Sequence, residues 1–258
     1  MAWTKFPHQD DAYVYTAATL KKAWNRLHAG DAEPFPKKAA LVDAWIAFHA
    51  GDFAQAVKLG LDAGVDGYSV AHKASCIYAT YLEKSDKKKI AMFEEVAERC
   101  ERQQSERPEV AAGFYWHAYA LGRYAQGISI VKALAQGIAP KVRASLDKTI
   151  ALAPKHADAH IALGAYHAEI IGSVGAMIGS LTYGVKKEDS YKAFKKALEL
   201  HPDSAIARIE YANALVTLDG KKKMDDAVKL YESATEVDPL DATERLDVEA
   251  AKAELEDE

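Results

Sequence analysis

The sequence predicts an all-α protein in which antiparallel helix pairs stack into an α-α superhelical solenoid. Three segments, Leu146–Tyr166, Phe194–Ala214 and Tyr231–Ala251, align with one another and share large apolar, alanine and proline positions. The alternation of apolar and polar residues that is typical of strands is nearly absent. The composition, 49% hydrophobic and 28% charged over 258 residues, is that of a globular chain.

The aligned positions describe one repeating unit of helix, proline turn and helix. A large residue leads each segment, and a small residue follows three positions later, where two helix backbones must approach closely. The proline ends the helix because its ring clashes with the preceding turn and it has no N–H to donate. A polar turn follows, and a second apolar-periodic helix begins. The aligned sets are Leu146, Phe194 and Tyr231, then Thr149, Ala197 and Ala234, then Pro154, Pro202 and Pro239.

These motifs resemble the tetratricopeptide repeat, a helix pair with a period of about 34 residues. The resemblance rests on Leu121-Gly122 and Leu163-Gly164 in first helices and on the aligned residues of the second helices. It implies a helical-repeat fold whose first helices line a concave binding face. The longer spacing from Pro154 to Pro202 departs from the family period and implies an insertion.

We predict five repeats and a cap in a single domain of residues 1–258. Ala56–Leu59 has the same residues as Ala227–Leu230, which places an early repeat before the three aligned segments. A leading helix is expected over residues 11–28, and the charged run Lys84–Lys89 is expected to form a turn. The predicted repeats are residues 38–64, 67–104, 109–154, 157–202 and 204–239, and residues 240–258 are expected to form an acidic C-terminal capping helix.

Two long apolar insertions depart from an ordinary repeat. They span residues 126–139 and 170–185, and both carry large apolar residues among glycines. Long ordered insertions are often functional, so they could wall a pocket on the concave face, but they could equally fill the core. The second insertion is the longest uncharged run, and it is shorter than the roughly 20 residues of a membrane-spanning helix.

Aromatic and histidine side chains on the first helices form the predicted ligand-binding site. Three aromatic residues precede the first insertion, two histidines seven residues apart share one face of a later first helix, and a tyrosine ends the second insertion. We expect them to hold a protein segment or a small apolar ligand, with a solid core as the competing outcome. The six residues are Trp116, Tyr119, Tyr124, His160, His167 and Tyr183.

No motif in the sequence predicts an enzyme, a cofactor or a metal site. His156 and His160 have a spacing that can share a zinc ion, but packing explains both of them better. Cys76 follows His72 by one turn in an apolar helix, where a buried thiol is usually inert. Cys76 and Cys100 are expected to be free thiols, because their helical stagger disfavours a disulfide.

The function predicted from these features is a non-enzymatic helical-repeat scaffold that binds a protein or peptide partner, or a small apolar ligand. The net charge of -5 argues against nucleic acid as a partner, and no membrane span is predicted. A hydrolase or metal-dependent enzyme is an alternative. The chain as written would be cytoplasmic, or periplasmic if a signal peptide had been removed upstream.

A second resemblance covers residues from about 111 to 239. Residues 115–126, 141–154 and 160–167 are similar to the microtubule-dynamics-regulator family and to the bacterial accessory component of tripartite periplasmic solute transporters, the T-component. This resemblance implies another alternative, an accessory solute-binding component of a transport system. It supplies no catalytic residue.

Overall fold

The structure is a computed structural model that describes residues 3–256, apart from the side chains of residues 130, 131 and 134. Within that range all regular elements are helical, with fourteen α-helices, three short 3-10 helices and no strand. The predicted all-α class is therefore confirmed. Residues 1–2 of the predicted domain and residues 257–258 of the predicted cap lie outside the described residues.

Backbone contacts divide the chain into two compact units, and neither of them is one continuous stretch. Unit 1 contains the residues up to His28, Glu33–Pro154 and Leu240–Thr243. Unit 2 contains Ala29–Ala32, Lys155–Pro239 and the residues from Glu244 onward. The single domain over residues 1–258 stays a prediction.

Unit 1 consists of a leading helix and three helix pairs. Helix α2 packs on α3, α4 on α5, and α6 on α8, while the short helix α7 stands between the members of the third pair. The helices are α1 (Ala17–Leu27), α2 (Ala39–His49), α3 (Phe53–Asp62), α4 (Tyr68–Tyr81), α5 (Asp86–Glu106), α6 (Ala111–Gly127), α7 (Ile130–Ala135) and α8 (Ile138–Leu152).

The contacts between α4 and α5 show that the pair is antiparallel. The Arg99 guanidinium donates to the Ser75 hydroxyl at 3.1 Å, and Cys100 Sγ lies 3.3 Å from His72 Nδ1. A step forward along α5 therefore accompanies a step backward along α4. This is the geometry of an αα-hairpin, in which a short turn joins two adjacent helices.

Two expected helix boundaries are wrong. The run Lys84–Lys89 is not all turn, because α5 begins at Asp86, where a carboxylate is favoured by the helix dipole and the following lysines are good helix formers. The leading helix begins at Ala17 rather than at residue 11. Thr16 and Thr19 set this start by a capping box, in which each side chain accepts a hydrogen bond from the backbone N–H of the other.

Helix α4 forms the centre of unit 1. All its residues from Tyr68 to Ala79 are buried, and the helix packs on α2, α3, α5 and α6. A helix that is covered on every side must allow its neighbours to approach closely. The small residues Ala71, Ala74 and Ala79 meet that need.

Unit 2 consists of two helix pairs and the closing helix. Helix α9 packs on α11, and α12 packs on α13, while α10 lies between α9 and α11 in the chain and packs on α9. The helices are α9 (Ala157–Val174), α10 (Ala176–Tyr183), α11 (Lys187–Leu200), α12 (Ala205–Asp219), α13 (Met224–Thr235) and α14 (Ala242–Glu256). The first two residues of α14 belong to unit 1.

Small residues let the helices of unit 2 approach closely. Gly164 of α9 lies against the ring of Phe194 in α11, and a Cβ atom at residue 164 would be only 2.7 Å from a ring carbon. Ala197 and Ala234, which the sequence places at close contacts, are fully buried. Ala234 packs with Ile209 and with residues of α14, so the closing helix completes the core of this unit.

Candidate functional site

The six predicted site residues divide equally between the two units. Trp116, Tyr119 and Tyr124 lie on α6 in unit 1. In unit 2, His160 and His167 lie on α9, and Tyr183 is the last residue of α10. The prediction that all six residues form one surface stays a prediction, and each group is described within its own unit.

The aromatic residues of α6 form a packed group. Trp116 and Tyr124 are buried, and the rings of Trp116 and Tyr119 have centroids 5.3 Å apart. The Tyr119 hydroxyl is hydrogen-bonded to the Thr80 hydroxyl at 2.9 Å, and the Arg123 guanidinium lies 5.3 Å from the Tyr119 ring centroid. Burial raises the pKa of Tyr119, so its hydroxyl stays protonated and can act as a hydrogen-bonding group.

His167 has a positioning role in unit 2. Its side chain is buried, and its Nδ1 accepts a hydrogen bond from the Lys186 backbone N–H at 3.1 Å. Nδ1 therefore carries no proton in this arrangement, and the imidazole ties α9 to the chain that returns from α10. His160 and Tyr183 are half-buried, so each keeps part of its side chain accessible to solvent.

Helix α10 presents its large apolar side chains to solvent. Met177, Ile178 and Leu181 are 75%, 52% and 83% exposed. On the opposite side of the helix, Gly179 is buried against Val185 and the isoleucines at the end of α9. The large residues of α10 therefore do not fill the core, and they form an open apolar surface that we call the α10 face.

A segment that the sequence did not single out is held on unit 1 by aromatic side chains. The Trp3 ring stacks on the Tyr78 ring with centroids 4.0 Å apart, and the Thr4 backbone N–H donates to the Tyr78 hydroxyl at 3.0 Å. Phe6 is buried and meets the Phe53 ring edge to face at 6.5 Å. The sequence pattern that could have indicated this contact is the spacing of Trp3 and Phe6, two aromatic residues three positions apart.

Comparison with known proteins supports one of the two resemblances. No protein-family model and no curated protein matches the sequence. A solved structure, a thermophilic TPR protein of Thermus thermophilus, matches 83% of this chain and 97% of its own, with a TM-score of 0.58 and 15% identity. The fold is the tetratricopeptide-repeat fold. The second resemblance, to the transporter accessory component, gains no support from these comparisons.

In this tetratricopeptide-repeat fold, the histidine that precedes α9 has a structural hydrogen bond. His156 is buried at the start of α9, where its Nδ1 accepts from the Ala159 backbone N–H at 3.1 Å. It therefore caps the helix in the way that a serine or aspartate usually does. In the part of the chain that the structure describes, no three His, Cys, Asp or Glu residues are grouped to hold a metal ion.

The two cysteines of the repeat fold are free and fully buried. Burial raises the pKa of Cys76 and of Cys100 well above the ordinary thiol value. Burial also lowers the pKa of His72, the neighbour of Cys100, so this imidazole is neutral and does not stabilise a thiolate. Cys100 and His72 therefore do not form the thiolate and imidazolium pair that activates a catalytic cysteine.

We expect a thiol titration to find two free sulfhydryls in the denatured, unreduced chain and a much slower reaction in the native protein. The native rate is slow because the reagent needs a thiolate, and both thiols are buried and protonated. Ellman's reagent with and without guanidinium chloride measures both quantities. A denatured chain without a free sulfhydryl would contradict the assignment of Cys76 and Cys100 as free.

No helix between residues 3 and 256 combines the length and apolar character that crossing a bilayer requires.

Proposed function

We propose that the protein is a non-enzymatic helical-repeat scaffold that binds an apolar segment of a partner protein. The tetratricopeptide-repeat fold supports this proposal, because stacked helix pairs present extended surfaces that suit peptide segments. The observation that carries it is the α10 face, made by Met177, Ile178 and Leu181.

The α10 face exposes apolar surface to water, which is unfavourable unless a partner covers it. Single exposed apolar residues are common, but three large ones on a helix of eight residues form a contiguous patch. The positions 177, 178 and 181 lie on one side of a helix. No charged residue occurs between Glu169 and Lys186, so the surface suits an apolar partner rather than a charged one.

The openness of the α10 face favours a protein segment over a small molecule. Small ligands are held in concave sites that bury most of their surface, whereas Met177 and Leu181 are almost fully open to solvent. We assign the half-buried His160 and Tyr183 to polar contacts at the edge of a bound segment. In unit 1, Tyr119 would make the same kind of contact with a separate segment bound to that unit. Within unit 1, the Trp116 ring packs beside the Tyr119 ring.

Selection of random peptides displayed on phage tests the proposal without a known partner. Selection against the purified protein is expected to converge on sequences with spaced apolar residues. Leu181→Ser and Met177→Ser should each weaken the selected peptides about tenfold, the effect of losing a central apolar contact of about 1.4 kcal/mol. Their stability should change by less than about 0.5 kcal/mol because both side chains are exposed.

The matched control is Leu61→Ser on α3, which removes an exposed leucine from unit 1. This variant should bind the selected peptides as the wild type does. A selection that yields no shared pattern, or peptides that bind Leu181→Ser unchanged, would reject the α10 face as the binding surface.

A further inference from the structure

The N-terminal segment lies on unit 1 in the manner of a bound peptide. Residues 3–10 contain no helix or strand. Phe6 is buried and Trp3 is half-buried, while Thr4, Lys5 and Pro7 between and beside them are exposed. Segments bound to the surface of a protein are held in a comparable way, by spaced side chains that pack into the surface and by hydrogen bonds of the main chain.

The two anchoring side chains occupy separate places on the surface. Trp3 covers the Tyr78 ring of α4, whose hydroxyl also accepts the Thr4 backbone N–H. Phe6 lies over Gly51 in the turn between α2 and α3 and against Phe53.

Gly51 is required for the second of these places. Its φ of 84° is in the left-handed region that favours glycine. A Cβ atom at this position would lie 2.6 Å from the Phe6 ring. The turn thus provides a flat backbone surface on which an aromatic ring can lie. Phe53 at the start of α3 closes one side of that surface.

We infer that unit 1 has a peptide-binding site between Tyr78 and the Gly51 turn, which takes an extended partner segment with two aromatic residues three positions apart. The chain's own Trp3 and Phe6 occupy this site and must leave before a partner segment enters. The site is separate from the α10 face, which belongs to unit 2, so either assignment can fail without the other.

The tether explains why the site is filled in the isolated protein. Ten residues, 7–16, join Phe6 to α1, and a short tether gives an effective concentration in the millimolar range. An identical segment from a second copy would gain nothing over the tethered one. A partner with a better pair of aromatic anchors, or at high local concentration, would displace it.

A labelled peptide with the sequence of residues 2–9 tests the inference. Its affinity is measured by fluorescence anisotropy for the full chain and for the Trp3→Ala/Phe6→Ala variant, whose site is vacated. The variant should bind the peptide at least about tenfold more tightly, as expected when a tethered competitor is removed. Val14→Ala is the control, because Val14 is an exposed residue of the tether that joins the segment to α1, and the peptide affinity of this variant should equal that of the wild type.

Further variants test whether the peptide binds at Tyr78. They also provide a test that does not require the loss of Phe6, whose buried side chain could be needed for folding. Trp3→Ala alone should raise the peptide affinity in the same direction. Adding Tyr78→Phe should then lower it about two- to tenfold, the effect of one neutral hydrogen bond. A peptide with alanine in place of both aromatic residues should not bind.

Two outcomes would overturn the inference. One is a peptide affinity that is the same for wild type and Trp3→Ala, or one that does not respond to Tyr78→Phe. The other is exchange of the segment between copies, which light scattering would reveal as a wild-type dimer that dissociates in the Trp3→Ala variant. That result would assign the site to a second copy of this chain.

Discussion

Replacement of Phe194 by alanine is expected to lower the free energy of unfolding by about 3–5 kcal/mol, the range for deletion of a buried aromatic side chain. Phe194 is fully buried in α11, and its ring stacks on the Tyr211 ring with centroids 5.0 Å apart. The ring also fills the space above Gly164 of α9. Its loss opens a cavity where three helices of unit 2 meet. Guanidinium unfolding followed by circular dichroism measures the change.

A double-mutant cycle with Gly164 checks the contact itself. Gly164→Ala alone should cost about 1–3 kcal/mol because the added methyl group overpacks against the ring. In the background of Phe194→Ala the same change should cost much less, since the ring is no longer there. Strictly additive effects would show that Gly164 and Phe194 do not touch.

Replacement of Asp241 by alanine is expected to destabilise unit 1 by about 1–3 kcal/mol, because it leaves the buried His49 ring without its hydrogen-bond partner. The Asp241 carboxylate lies 2.7 Å from His49 Nδ1, and both side chains are buried. His49 Nε2 has no hydrogen-bond partner among the described residues, so its ring depends on this carboxylate. The rings of Trp24 and Trp45 lie 6.3 Å and 5.9 Å from the His49 ring, so tryptophan fluorescence reports the unfolding.

Two controls distinguish the loss of the contact between His49 and Asp241 from a general effect on stability of substitutions near residue 241. Asp238→Ala removes an exposed carboxylate three residues earlier and should change stability by less than about 0.5 kcal/mol. Asp241→Asn keeps an oxygen acceptor and should cost less than Asp241→Ala. If the His49→Ala and Asp241→Ala losses simply add in the double variant, the pair is not coupled.

The sequence predicted the helices of the repeats well because their determinants are local. Pro154 and Pro202 each end a helix within the two residues before them, as the ring geometry requires. Phe194 and Ala197 are buried where the alignment places them. Local chemistry also sets the start of α1, where the side chains of Thr16 and Thr19 cap the first turn.

The remaining features depend on contacts between distant parts of the chain. His49 and Asp241 are 192 positions apart, and no pattern in either neighbourhood marks the pair. The orientation of α10 was equally hidden. In the run 170–185 nearly every residue is apolar or glycine, so periodicity does not distinguish an inner from an outer face. The site residues on α6 and α9 lie on the predicted helices, and whether they share a ligand stays a prediction.

The discontinuity of unit 1 has a consequence for biosynthesis. The ribosome adds about 5–20 residues per second, so Asp241 follows His49 after roughly 10–40 s of translation, given the 192 positions between them. Throughout that interval the nascent helices of unit 1 lack residues 240–243 and the carboxylate that His49 needs. A transcript truncated after codon 154 and before codon 241 would therefore yield all three helix pairs of unit 1 in an incomplete and proteolysis-prone form.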